Sequence, residues 1–223
     1  MKKINVNFKH LFYKYRHAWV FLYALIYMPW FCWLEKTVTT NYYVIHSVFD
    51  DYIPFCEYFI VPYLLWFPYI AVVLLYFFFT DKKGFYRATK LLFTGMTIFL
   101  IISTVFPNGL NLRPVTFEGD NIFISMVRVL YKTDTPTNVL PSLHVYNSIG
   151  VSIAIASSQK LRQYKWVQYS SLSLTTLIVL STMFLKQHSI IDVVAAFVMA
   201  YLLYRLVYEP ETEKSPKLAR QTI

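Results

Sequence analysis

Six apolar stretches, each bounded by basic, aromatic or turn-forming residues, limit what this chain can fold into. They run over about Ala18–Leu34, Phe59–Phe79, Ala88–Val105, Leu143–Ser157, Val167–Leu185 and Ile190–Val207. An α-helix needs about 20 apolar residues to cross a bilayer, and most of these runs come close to that length. In lipid every backbone N–H and C=O must find a partner inside the protein, so such runs become helices. The composition agrees: 57% of the 223 residues are hydrophobic and only 15% are charged. The fourth run is the shortest and carries Asn147 and Ser148. The expected fold class is all-α, a polytopic membrane protein with six transmembrane helices. Residues 1–17 read as a basic interfacial tail, 18–207 as one membrane domain and 208–223 as a C-terminal tail, with no internal repeat. The first run is flanked by Trp30, Trp33 and Glu35 and lacks a small-x-small cleavage site. It is therefore expected to stay as a span, not to be removed as a signal peptide.

Basic residues orient the spans. Sixteen of the 21 Lys and Arg fall in the N-terminal tail, the loops around Lys82 and Lys160, and the C-terminal end. Lys36, Arg113, Arg128, Lys132 and Lys186 fall on the other side. The positive-inside rule then predicts cytoplasmic termini and places the second set outside the cell membrane. The net charge of +9 reads as topology and attraction to anionic lipids. It does not read as nucleic-acid binding, because the cations are spread among the spans.

The outer-side segments carry the chemistry. Arg113-Pro114 follows the third run, Pro141-Ser142-Leu143-His144 opens the fourth, and Lys186-Gln187-His188 opens the sixth with Asp192 behind it. Ionisable groups at the heads of membrane spans are expensive and point to function. A neutral imidazole attacks phosphorus and splits a hard transfer into two steps, and His188 is the candidate nucleophile. Asp192, four residues on, shares its helical face and can fix the imidazole tautomer. His144 suits a general acid that later acts as base. Arg113 offers a planar fork to phosphate oxygens, Lys186 a point charge, and Ser142 a hydroxyl beside helix-start N–H groups. The set requires no metal or cofactor. Each piece also has a plainer use: Ser142 as a helix cap, Lys186 reaching toward lipid heads, and the His-Asp pair as a local hydrogen bond. His10, His17 and His46 have no partner visible in the sequence.

The ordered set resembles the type 2 phosphatidic acid phosphatase superfamily of integral-membrane lipid phosphate phosphatases and phosphotransferases. Arg113-Pro114 matches the end of the family's first motif, Pro141 to His144 the second, and Ser181, His188 and Asp192 the third. The resemblance implies a six-helix bundle, a His188 nucleophile partnered by Asp192, His144 as acid and base, and Arg113 with Ser142 on the phosphate. Three positions depart from it: Phe106 stands where the first motif has Lys, Leu143 where the second has Gly, and Thr182 where the third has Arg. Pro-Ser-Leu-His is similar to the variant in inositol phosphorylceramide synthases, which move a phospho-headgroup between lipids.

The expected function is metal-independent hydrolysis of a lipid phosphate or pyrophosphate at the outer face through a phosphohistidine. Headgroup transfer between lipids and a non-catalytic bundle are the alternatives. Partners are the lipid substrate and membrane lipids; the sequence leaves the oligomeric state open. The long segment Phe106–Leu140 is expected to roof the site, with a short helix over Ile122–Leu130 and with Asp134 or Asn138 near a headgroup. Asn41–Pro62 reads as an entrance wall or an interfacial segment. Cys32 and Cys56 are expected as free thiols in apolar surroundings.

Overall fold

The computed structural model describes residues 13–209. Its helices are α1 (Ala24–Thr37), α2 (Val48–Tyr52), α3 (Ile60–Thr80), α4 (Lys82–Val105), α5 (Ile122–Thr133), α6 (Leu143–Ser157), α7 (Lys165–Phe184) and α8 (Ile190–Val207). A 3-10 segment, Arg16–Tyr23, leads into α1, and a 3-10 turn, Glu57–Phe59, leads into α3. Among the described residues, five segments are long and apolar enough to cross a membrane: Arg16–Thr37, Glu57–Thr80, Lys82–Val105, Lys165–Phe184 and Ile190–Val207. The chain is thus a mostly helical, integral membrane protein.

The fourth expected span, α6, is the exception. It has 15 residues, or about 22 Å of helix. It packs against α3, α4, α7 and α8, and eight of its residues are buried. A helix enclosed by other helices has no lipid thickness to match, so its length is set by its neighbours. The same enclosure explains its polar residues. Ser148 donates to the His144 carbonyl at 2.7 Å, and Thr175 on α7 lies 3.3 Å from the Ser148 carbonyl.

Small residues let α6 sit close to α4. A Cβ at Gly95 would lie 2.2 Å from the Tyr146 ring, and the Tyr146 hydroxyl donates to the Leu91 carbonyl at 2.6 Å. Membrane helices associate through such packing and through interhelical hydrogen bonds, because lipid gives no hydrophobic drive between them. Tyr69 on α3 and Ser171 on α7 make another such bond at 2.6 Å.

The long connector folds onto one end of the bundle. Tyr43–Val44 (β1) pairs in parallel with Asn108–Gly109 (β2). Asn138 N–H donates to the Asn108 carbonyl at 2.7 Å, and Asn108 Oδ1 accepts the Val139 and Leu140 N–H groups at 2.9 Å. α5 contains the expected short helix and continues three residues further, to Thr133. Its buried face packs on Ile60, Tyr63 and Leu185, so the helix belongs to the bundle end.

Most of both expected tails, including His10, lies outside the described residues. His17 turns inward: its Nε2 lies 2.9 Å from the Phe78 carbonyl, and its ring packs against Phe78 and Phe85. His46 pairs with Asp51 at 2.9 Å on the exposed surface. Both cysteines are free, and Cys32 is exposed, unlike the packed thiol expected from the sequence.

Candidate active site

The turn between α7 and α8 is built to present His188. Leu185 ends α7, and Lys186 takes a left-handed φ of 54°. Lys186 N–H then donates to Met183, while the Gln187 and His188 N–H groups both donate to Thr182. This is the Schellman pattern, usually made by glycine at the left-handed position. Ser189 starts α8 with a capping box, its own N–H bonded to Asp192 Oδ2 at 2.9 Å. The same carboxylate oxygen lies 3.3 Å from His188 Nδ1. Asp192 is fully buried and His188 is 8% exposed. With Nδ1 on Asp192, Nε2 is the ring nitrogen that remains for a ligand.

A residue from the distant short helix α2 locks this turn. Asp50, 2% exposed, accepts Ser189 Oγ–H at 2.6 Å and Ile190 N–H at 2.9 Å. It also closes its own capping box with Ser47. Lys186 Nζ donates to the Asp50 backbone carbonyl at 2.7 Å. Asp50 therefore holds the start of α8 from outside, and Lys186 clasps the same short helix. The expectation for Asn41–Pro62, an entrance wall or an interfacial segment, does not include this role. The Ser47-x-x-Asp50 spacing was the signal for a cap, but a capping box does not reveal its second client.

His144, the second residue of α6, stands opposite. Its ring lies 5.8 Å from the His188 ring, centroid to centroid. Tyr63 stacks on it at 4.5 Å and Trp66 at 4.3 Å, so α3 fixes its plane. Ser142 is fully buried, and its hydroxyl accepts Val145 N–H as the cap of α6. Its N–H donates to the Asp192 carbonyl at 3.2 Å, which ties the heads of α6 and α8 together.

Arg113 reaches the site through an amide. Its guanidinium donates to the Gln187 side chain and to the Asp134 carbonyl at 2.8 Å, and lies 4.6 Å over the Tyr131 ring. Burial pushes the guanidinium down from its ordinary value, and the Asp134 carboxylate pushes it back up. Burial likewise lowers the Lys186 ammonium, against Asp50 and Asp51. At the two other departures from the motifs, Phe106 stacks on Tyr43 at 4.7 Å and Thr182 donates to the Val179 carbonyl.

A cavity of about 510 Å³ joins these parts. Its long wall is apolar: Tyr27 and Phe31 from α1, Trp66 and Phe67 from α3, Met96 and Phe99 from α4. Its other end carries His144, His188, Gln187, Asn147, Glu35, Asp134, Thr135, Thr137 and Asn138. Arg113, Ser142, Lys186 and Asp192 stand behind this lining. Among the described residues that line the cavity there is no Lys or Arg. Gln187 Nε2, Asn138 Oδ1 and Asn147 Oδ1 are buried without a hydrogen-bond partner. Glu35 was noted in the sequence only as a span flank. It falls on one stripe of α1 with Tyr27 and Phe31, at i, i+4 and i+8, and it accepts from Thr135 and from Asn138 at 2.9 Å. Asp134 accepts the Tyr63 hydroxyl at 2.9 Å. Asp134 and Asn138 thus lie in the cavity lining, as the roof reading anticipated.

The arrangement is a pair of facing imidazoles, one backed by a carboxylate, at the polar end of an apolar cavity among membrane helices. No curated protein and no solved structure matches this chain. A family model described as the PAP2 superfamily matches residues 91–214, which take in both histidines, Asp192, Arg113, Ser142 and Lys186. The first two spans, with Glu35, Tyr63 and Trp66, lie before the matched region. The chain belongs to the PAP2 superfamily, whose members are phosphatases or phosphotransferases.

Proposed function

We propose that this protein cleaves the phosphate from a membrane lipid at the outer face, with His188 carrying the phosphoryl group covalently. The observation that carries the reading is the cavity: an apolar wall sized for a lipid tail ends on His188 and His144. His188 Nε2 attacks phosphorus, an N–P bond forms, and the ester P–O bond breaks. His144 gives the leaving alkoxide its proton. Asp192 balances the charge on the phosphorylated imidazole. Water then enters, gives its proton to His144, attacks phosphorus and releases phosphate, which restores His188. Gln187 Nε2 faces the phosphate oxygens, with Arg113 supplying positive potential from behind. We assign Lys186 and Ser142 to holding the two helix starts, whose N–H groups add donors. No step requires a metal.

A second reading has its own support. Glu35, Asp134 and the unpartnered oxygens of Asn138 and Asn147 are acceptors, suited to the hydroxyl groups of an incoming alcohol. An alcohol in place of water makes the reaction a headgroup transfer.

The test uses purified protein with short-chain phosphatidic acid and a chelator, following free phosphate. Release is expected, and His188→Ala should lower it by about 10³-fold or more while the protein still inserts. Undiminished release from that variant would refute the nucleophile. Added inositol or diacylglycerol separates the readings: a new phospholipid product marks transfer.

A further inference from the structure

The polar end of the histidine cavity carries charge of the sign that repels a bare phosphate. Two carboxylates stand in its lining, Glu35 on α1 and Asp134 just after α5. Among the described residues the lining holds no Lys or Arg. The groups bonded to these carboxylates are neutral: Thr135 and Asn138 donate to Glu35, and Tyr63 donates to Asp134. Arg113 sits behind the lining, with its guanidinium on the Asp134 carbonyl and the Gln187 side chain. It offsets one negative charge, and Asp192 behind His188 adds another. An amide oxygen joins the acceptors. Asn138 is 6% exposed, and its Oδ1 is buried without a hydrogen-bond partner. Its orientation is settled, because its Nδ2 donates to Glu35 at 2.9 Å.

Among the described residues of this lining, the unpartnered buried donors are Gln187 Nε2 and Trp66 Nε1, and both are neutral. A hydroxyl group would donate one hydrogen here and bring a fresh acceptor of its own. A primary ammonium brings three donors, no acceptor and the positive charge that the lining lacks. The carboxylates adjoin the histidines. Tyr63 stacks on His144 at 4.5 Å and donates its hydroxyl to Asp134 at 2.9 Å, so one side chain spans from the imidazole to the carboxylate. We propose that the lipid phosphate taken by this cavity carries an amino alcohol, whose ammonium is held by Glu35, Asp134 and the Asn138 oxygen. The inference rests on the proposed function for the place of the phosphate, between His188 and His144. In that reaction the lipid oxygen leaves with the His144 proton, and phosphorus keeps its ester bond to the amino alcohol. Glu35 precedes the residues matched to the family, so that match assigns it no role.

The experiment uses the full chain with His188→Ala, so that the ligand is not consumed, in a non-ionic detergent. Binding of short-chain lipids is read by native mass spectrometry. Phosphatidylethanolamine should bind about tenfold more tightly than phosphatidylglycerol, a diester of similar size without the ammonium. Glu35→Gln, close in shape, should cut that ratio to about twofold or less. Asp134→Asn keeps an acceptor for the Tyr63 hydroxyl and should cut it as well, which covers a Glu35 variant that fails to fold. Asp120→Asn removes an exposed carboxylate outside the lining and should leave the ratio as it is. Phosphatidylglycerol or phosphatidic acid binding as tightly as the ethanolamine lipid would overturn the proposal. So would a ratio that neither cavity variant moves, or that Asp120→Asn moves equally. Turnover by the parent protein tests the other reading separately. Selective binding without release of lipid alcohol would refute the phosphatase assignment and leave the ammonium site standing.

Discussion

Asp50 shows how much a single side chain outside the motifs can decide. Its carboxylate and backbone carbonyl together receive Ser189, Ile190 and Lys186, so the turn that aims His188 is held from α2, more than 130 residues away. Asp50→Ala removes the acceptor of the buried Ser189 Oγ–H and of the half-buried Ile190 N–H. The expected cost is about 2–4 kcal/mol of stability, measured by thermal unfolding in detergent. Turnover should fall with it, and Asp50→Glu should restore part of both. Unchanged stability in Asp50→Ala would show that the turn holds itself. Lys186, expected on the phosphate, has its ammonium on the Asp50 carbonyl instead. Its left-handed backbone turns the chain, and nothing in a Lys-Gln-His string announces that conformation.

Among the elements, α6 has the most to hold together. Its first turn carries His144 and meets α4 at Gly95 through Tyr146, its middle meets α4 at Gly150 against Leu92, and its last turn borders a cavity at the other end of the bundle. The contact at Gly95 leaves no space, since a methyl there would lie 2.2 Å from the Tyr146 ring. Gly95→Ala should therefore destabilise the protein by about 1–3 kcal/mol through overpacking. It should also shift α6 enough to lower activity without touching the site. A variant as stable as the parent would show that α4 and α6 separate at no cost. The apolar runs forecast these helices well because lipid enforces helical hydrogen bonding wherever a run is long enough. They could not tell a lipid-facing span from an enclosed helix, because both are apolar; the 15-residue length of α6 and its Asn147 and Ser148 were the hints.

At the scale of the molecule, the histidine cavity gathers residues that lie far apart in the chain. The histidine cavity draws its apolar wall from α1, α3 and α4. Met96→Trp should fill that wall. The expected result is a rise of about tenfold in KM for a long-chain lipid phosphate, with kcat for a short-chain substrate kept. Equal effects on both chain lengths would mean that the tail does not lie there. The sequence by itself determined the helical class, the apolar runs and the three ordered motif remnants. These are local: periodicity, residue type and spacing follow from backbone chemistry in lipid. It also named His188, Asp192 and His144, which the fold does bring together. Only the tertiary structure decided that Glu35, Tyr63, Trp66 and Asp50 join them, that Arg113 meets the site through Gln187, and that Lys186 turns away. Those relations rest on contacts between segments 60 to 140 residues apart, and no local pattern encodes which distant side chain a buried group will meet.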